Sequence, residues 1–420
     1  YKAGVGGTTS APFSSGQNNT ALGYQALTAF TTAGGNTAIG YQSGDSITTS
    51  GENTFVGYQA GAALTGGSGL NIAMGYQPLY LGTGNSGAIA IGTRAGYNSQ
   101  ASNNVYVGAS SGRENRAGIS QVYIGASAGY YATGSYNTFV GQNAGKGGTT
   151  SAPFSSGQYN VALGAEALEN FTTANYNTAI GYQSGEAITT GTGNTFLGYR
   201  AGITATTGIY NVGIGYGTLG DATLTGTGNI GIGLNAGMDL TSGGSNVIIG
   251  HNAGYTMSTT TTTVLIGALA GTAINSADAN GTVAIGKDAL QDLTSGQNNT
   301  AVGYRALADI TTGDYNTAVG YGALDAITTG LDNTALGWGA GGSTSNTTGA
   351  NNTFLGGSAG LGIINRNDNT FVGYRAGATN RAGTQSTIIG SQAGYSPQGA
   401  VYSGSYNLFA GYGAGLYTGG

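Results

Sequence analysis

The residues able to do chemistry are few and scattered. His251 is the single histidine, there is no cysteine, and sixteen carboxylates are spread over 420 residues. Catalysis needs an acid, a base or a nucleophile held in a common geometry. His251 stands alone at a variable outward position after Gly250, which marks a neutral substitution in a repeat and not a general base. Asp45, Glu186 and Asp325 fall in comparable turns of different repeats and form no close pair. Glycine strings such as Gly213-Ile214-Gly215-Tyr216-Gly217 end a strand and open no helix, so the context of a phosphate loop is missing. The regularly spaced Asp of calcium-binding β-rolls is missing too. The expectation is a protein that is not an enzyme and needs no cofactor or metal.

What must position every side chain instead is a repeat. A phrase of the type Asn-Thr-Ala-Ile-Gly recurs 23 times, its glycine falling at Gly23, Gly40, Gly57, Gly75 and onward to Gly411. The gaps are mostly 16 to 19 residues, with two of 23 and 21 where the insertion 147–154 and Ser396-Pro397-Gln398 lie. So short a period over a whole chain implies stacked coils, each covering its apolar face with its neighbours. The fold class expected is all-β: a β-solenoid, a parallel β-roll or β-helix of about 17 residues per coil with 23 recognisable coils.

Within a coil, the residue before the glycine is aliphatic or Met in 22 of 23 copies, and the residue two places earlier is β-branched in 22. Side chains two apart on a strand share a face, and β-branched residues suit a buried pleat. This assigns an inward core ladder to Ile39, Val56, Ile91, Ile180, Leu197, Ile249, Val302 and Val319. The residue between them then points out, so Phe55, Phe139, Phe196, Phe354, Phe371 and Phe409 either fill corners under loops of the same chain or, as the favoured reading, form a candidate inter-chain face.

Asn precedes the strand in 18 of 23 copies, among them Asn19, Asn36, Asn53, Asn177, Asn194, Asn316 and Asn333. Stacked corner Asn residues can bond one another as a ladder. Glycosylation fits only a few sites, such as Asn18 and Asn346. An aromatic follows the glycine in 12 copies. A second stretch, such as Ile47-Thr48-Thr49, supplies another inward residue, so each coil is expected to hold two short strands and two turns. Stacking at about 4.8 Å per coil gives a rod on the order of 110 Å long.

Residues 6–17 return as 147–158, and a third echo begins near Gln297. The chain thus forms one continuous solenoid of three blocks, 1–141, 142–281 and 282–420. Tyr1-Lys2-Ala3-Gly4 aligns with Gln142-Asn143-Ala144-Gly145, so the sequence opens in mid-coil, and it closes in mid-coil at Gly419-Gly420. The expectation is a segment of a longer array, or open ends that stack head to tail.

Composition narrows the partners. Charged residues are only 6% and the net charge is −5, thinly spread, which argues against nucleic acid. No apolar run approaches the roughly 20 residues of a membrane span, so no membrane insertion is expected. Weak charge lets copies approach one another. The partner expected first is the protein itself, in a head-to-tail filament, a homotrimer or a bundle.

Two kinds of known repeat are similar. Thr282-Val283-Ala284-Ile285-Gly286 resembles the strand in the head repeats of trimeric autotransporter adhesins. Asn299-Thr300-Ala301-Val302-Gly303-Tyr304-Arg305-Ala306-Leu307, with Thr311-Thr312-Gly313 after it, more closely resembles repeats of tail-fibre-type chains, which often end in an intramolecular chaperone domain. The resemblance covers nearly the whole chain. It implies a β-solenoid, an extracellular or cell- or virion-surface location, and trimeric assembly.

Three functions are then in view. The first is a structural subunit of an extracellular fibre or filament, assembled end to end, laterally or both. The alternative is the shaft of a phage tail fibre or trimeric surface adhesin that binds host surface glycans through exposed Tyr. A third, ice binding by Thr48-Thr49, Thr189-Thr190, Thr311-Thr312 and Thr328-Thr329, is disfavoured because Gly66, Ala132 and Asn380 interrupt the array.

Overall fold

The computed structural model describes residues 2–7, 14–149, 154–343, 347–363, 365–379, 383–396 and 404–416. Part of each insertion (150–153 and 397–398), Asn346, Asn380, Tyr1 and Gly419-Gly420 lie outside them. The protein is an all-β parallel solenoid with about 17 residues per turn. It divides into two compact units, 1–210 and 211–420, with the division inside the second sequence block. Among the described residues the first unit holds eleven strands, Thr20–Leu22 to Thr195–Leu197, and the second twelve, Val212–Ile214 to Leu408–Ala410. Every strand is three residues long, and within each unit successive strands pair in parallel and in register, as Thr37↔Thr54, Ala38↔Phe55 and Ile39↔Val56 do.

One strand per coil is present, where two were expected. The stretch that contains Ile47 or Leu293 does bury that residue, but its backbone runs as bends and turns. The reason lies in the corner that follows the strand. The motif glycine is strained for any other residue: Gly181 has φ +129°, and a Cβ there would stand 2.3 Å from the Gly198 carbonyl oxygen. Two and four residues later the chain turns left-handed again, at Gln183 (φ 53°) and Gly185 (φ 58°). A backbone that reverses so often cannot also lay down a second regular strand.

The strand faces are the reverse of the sequence expectation. Ile39, Ile91 and Leu197 are 36%, 39% and 42% exposed, and Val56, Ile180, Ile249, Val302 and Val319 are half-buried. The core is instead the middle residue: Phe55, Phe139 and Phe196 are fully buried, Phe354 and Phe371 nearly so, and Phe409 half-buried. Alternation correctly pairs the two flanking residues on one face. It does not say which face is inside.

The interior is filled by exchange of volume within a coil. In eleven coils the middle residue is large, and six residues on, at the second left-handed corner position, each has Gly: Phe55 with Gly61, Phe139 with Gly145, Phe196 with Gly202. A Cβ on Gly145 would lie 2.4 Å from the Phe139 ring. In seven coils the middle residue is Ala or Gly and the corner carries a buried Leu, as in Ala73 with Leu79 and Ala162 with Leu168. The remaining five are small at both positions, and each precedes a coil with a large middle residue; Gly44 makes room for Phe55 in this way. Leu at φ 48° to 53° is unusual. The left-handed conformation costs about 1–2 kcal/mol, and burying the side chain contributes about 1.5–3 kcal/mol, so burial wins by a small margin.

Candidate interaction surfaces

Corner Asn residues are held by a bonded ladder. Asn53 donates its backbone N–H and its Nδ2 to Asn36 Oδ1 at 3.0 and 2.8 Å, and Asn36 makes the same pair with Asn19 at 2.9 and 3.1 Å. Asn177 bonds Asn160, Asn194 bonds Asn177, and Asn333 bonds Asn316 in the same way. The other Nδ2 hydrogen goes to a carbonyl of the next coil, three residues before its corner Asn, as from Asn177 to Gly191 at 2.9 Å. Asn36, Asn53, Asn177, Asn194, Asn316 and Asn333 are buried and Asn19 is half-buried. This row braces the corner and presents nothing to a ligand. Where Ala88 takes the Asn position, the ladder is cut, and the buried Asn85 side chain is left with neither its oxygen nor its nitrogen partnered.

Outside the core, the flanking strand residues form two parallel rows. One is Thr, Val or Ile; the other is aliphatic nearly throughout, with Leu163 46%, Leu336 48% and Ile389 45% exposed. Beside them, the aromatic after the motif glycine builds ring stacks: Tyr24, Tyr41, Tyr58 and Tyr76 follow at 5.1–5.2 Å with planes within 14°. Tyr136, Tyr159 and Tyr176, from the residue before the corner Asn, stack likewise at 5.0 and 5.1 Å. Next to the first stack a glutamine ladder runs Gln25, Gln42, Gln59, Gln77 with amide bonds of 2.8–2.9 Å. On a further side, Thr hydroxyls bond the carbonyl of the coil above, as Thr31 to Thr48 and Thr311 to Thr328 do.

The carboxylates come together more than the sequence suggested. Those of successive coils lie one above another, so Asp292, Asp309 and Asp325 form one column and Asp221 and Asp239 another. Burial holds Asp45, Glu186, Asp239, Asp309 and Asp325 above the ordinary carboxylate range. Like-charge neighbours add to this at Glu186 (Glu169, Glu166), Asp239 (Asp221) and Asp309 (Asp292), while Arg305 opposes it at Asp309 and Asp325. Among the described residues, no three His, Cys, Asp or Glu are placed to hold a metal ion, and no helix is long and apolar enough to cross a membrane. His251 is exposed.

Tyr106 and Tyr123, middle residues that alternation turned outward along with the Phe row, are fully buried. Tyr106 hydroxyl bonds Ser99 Oγ at 3.3 Å and Asn115 Nδ2 at 2.6 Å, and Tyr123 hydroxyl bonds Gln121. The signal was available: Ser99 and Asn115 are polar at a position that is Ile, Leu or Phe in many other coils. No family model matches the chain, and no curated protein matches its sequence.

Proposed function

We propose that the chain is a structural subunit of an extracellular fibre or filament, assembled by packing strand faces of neighbouring copies side by side. The observation that carries this is the outward aliphatic row. In the first unit, eleven strands about 4.8 Å apart and about 10 Å wide make a face on the order of 500 Å². The largest apolar patch of a typical monomer is about 300–600 Å², and a stable interface takes about 800 Å² per partner. The flanking tyrosines, Tyr24 to Tyr76 and Tyr182 with Tyr199, widen this face beyond the strand strip. Its Thr, Val, Ile and Leu side chains carry no charge, so a second copy meets no ion to desolvate.

End-to-end stacking of coils is compatible with this and lengthens the assembly. The alternative, the shaft of a phage tail fibre or trimeric adhesin, draws on the resemblance of Asn299–Leu307 and uses the same face about a threefold axis. Glycan capture by the tyrosine row fits less well. Tyr24 to Tyr76 occupy one another's ring faces, and it is a ring face that a sugar would cover.

Sedimentation velocity at micromolar concentration tests the reading. The native chain is expected well above its 41.3 kDa monomer mass. A variant with Ile180→Lys, Leu197→Lys and Leu163→Lys is expected to shift toward monomer with its β-sheet circular dichroism kept. A native monomer, or a Lys variant that assembles unchanged, would refute lateral packing.

A further inference from the structure

We infer that the corner of the second unit between Tyr321 and Leu361 is a binding site for an organic ammonium group, held between the Trp338 ring and the Asp325 carboxylate. Three departures from the repeat coincide there. The first is in the aromatic row. Trp338 is the single tryptophan, and it follows Tyr304 and Tyr321, whose rings lie 5.2 Å apart. Among the described residues Trp338 joins no ring pair, and the next coil has Gly357 at the equivalent position. Tyr321 and Trp338 are 56% and 59% exposed, against 40–44% for the tyrosines that stack at this same position in the first unit. The Trp face is therefore open.

The second departure is in the next row. Every coil but four carries a side chain at this position, Gln or Arg in ten of them; these two carry Gly322 and Gly339 in succession, while Gly217 and Gly413 stand singly. Loss of both side chains leaves a cleft of about 220 Å³ lined by Tyr321, Trp338, Asp325, Ser343, Ser358 and Leu361. No strand-face residue lines it, so lateral packing and this site are separable.

The third is charge. Asp325 is half-buried in the same cleft and accepts the Ser343 backbone N–H, which fixes its carboxylate. Asp309 and Asp292 continue the acidic column below it, with Arg305 as its cation. An indole and a fixed carboxylate lining one cleft suit a positive group with an apolar surface. Cation–π contact with Trp is the strongest of its kind, about 0.5–1 kcal/mol when exposed and about 2 when desolvated. A similar-sized cleft beside Asp45 lacks the open ring, since its Tyr80 stacks on Tyr97 at 5.2 Å.

Because Trp338 is the only indole, intrinsic tryptophan emission reports this site alone. Titration of the whole chain with tetramethylammonium or n-butylammonium chloride, against sodium chloride at equal ionic strength, is expected to give a saturable change in emission in the millimolar range. Tighter tetramethylammonium points to a methylated-ammonium source, tighter butylammonium to a lysine side chain; both support the site. Gly339→Gln should abolish the response without unfolding. The equivalent Gln42 adopts φ 50° beside the φ 60° of Gly339, and a Cβ on Gly339 meets nothing nearer than Ser358 Oγ at 3.8 Å. Asp325→Asn should weaken binding at least about tenfold. The proposal fails if sodium produces the same change, if glucose does so at the same concentration, or if both variants respond like the native chain.

Discussion

The middle residue of each strand and the residue just after it are neighbours in sequence and both apolar, yet they obey opposite rules. The middle row runs from Gly213 to Tyr106 in size, and its volume is answered by Gly or Leu at the following corner or, in five coils, by the large residue of the next coil. The aliphatic row hardly varies, and nothing in the coil answers it. A row that is compensated is packed inside the chain, where volume is fixed. A row that is uniform without compensation repeats one surface at every coil, which is what a partner copy needs.

The largest effect should come from breaking the inner row. Phe196→Ala is expected to cost about 3–5 kcal/mol, and Leu197→Ala on the same strand no more than about 0.5 kcal/mol, by guanidinium unfolding of the dissociated chain. Reversal of that order would restore the opposite facing. The volume exchange sharpens the contrast. Gly145→Leu alone should destabilise, because its Cβ would fall 2.4 Å from the Phe139 ring. Combined with Phe139→Ala it reproduces the pairing of Ala162 with Leu168, and the double variant should recover more than half of the summed loss; strict additivity would show that the two positions do not share a space.

A smaller effect is expected in the Asn ladder. Asn177→Ala removes the Oδ1 that accepts the Asn194 backbone N–H and one Nδ2 hydrogen, and leaves Asn160 Oδ1 with only the backbone N–H of residue 177, at about 1–3 kcal/mol. Asn85→Leu, which removes a buried amide already without partners, should be neutral or stabilising by the same assay. The smallest expected effect is pH dependence. Asp45, Glu186, Asp239, Asp309 and Asp325 all hold raised values when folded. Their contribution is therefore fully present below the unfolded carboxylate range near about 4 and is lost as pH rises through the folded values. The denaturation midpoint should be higher near pH 4 than at pH 7; Asp309→Asn with Asp325→Asn should flatten that slope.

Much of the fold was legible because the repeat states it openly. The spacing of the motif glycines gives the coil, and Asn before Thr gives the corner ladder seen between Asn36 and Asn53. The facing was not legible from alternation, since three residues define two faces and name neither. β-Branched Thr37 and aliphatic Ile39 look like core on propensity, but that scale measures fit to a pleated surface and not depth. The pairing of Phe55 with Gly61 and of Ala73 with Leu79 holds the missing information. The cleft at Trp338 was harder to read. It depends on two glycines that, in a chain with 84 of them, carry no distinguishing mark until the row they interrupt is known to face outward.

The most direct test of the central claim is cryo-electron microscopy of the native assembly at a resolution that shows side chains. Neighbouring copies should touch through the row of Ile180 and Leu197, with the Phe196 row enclosed within each chain. Assemblies whose contacts leave that aliphatic row in solvent, or single isolated chains, would contradict it.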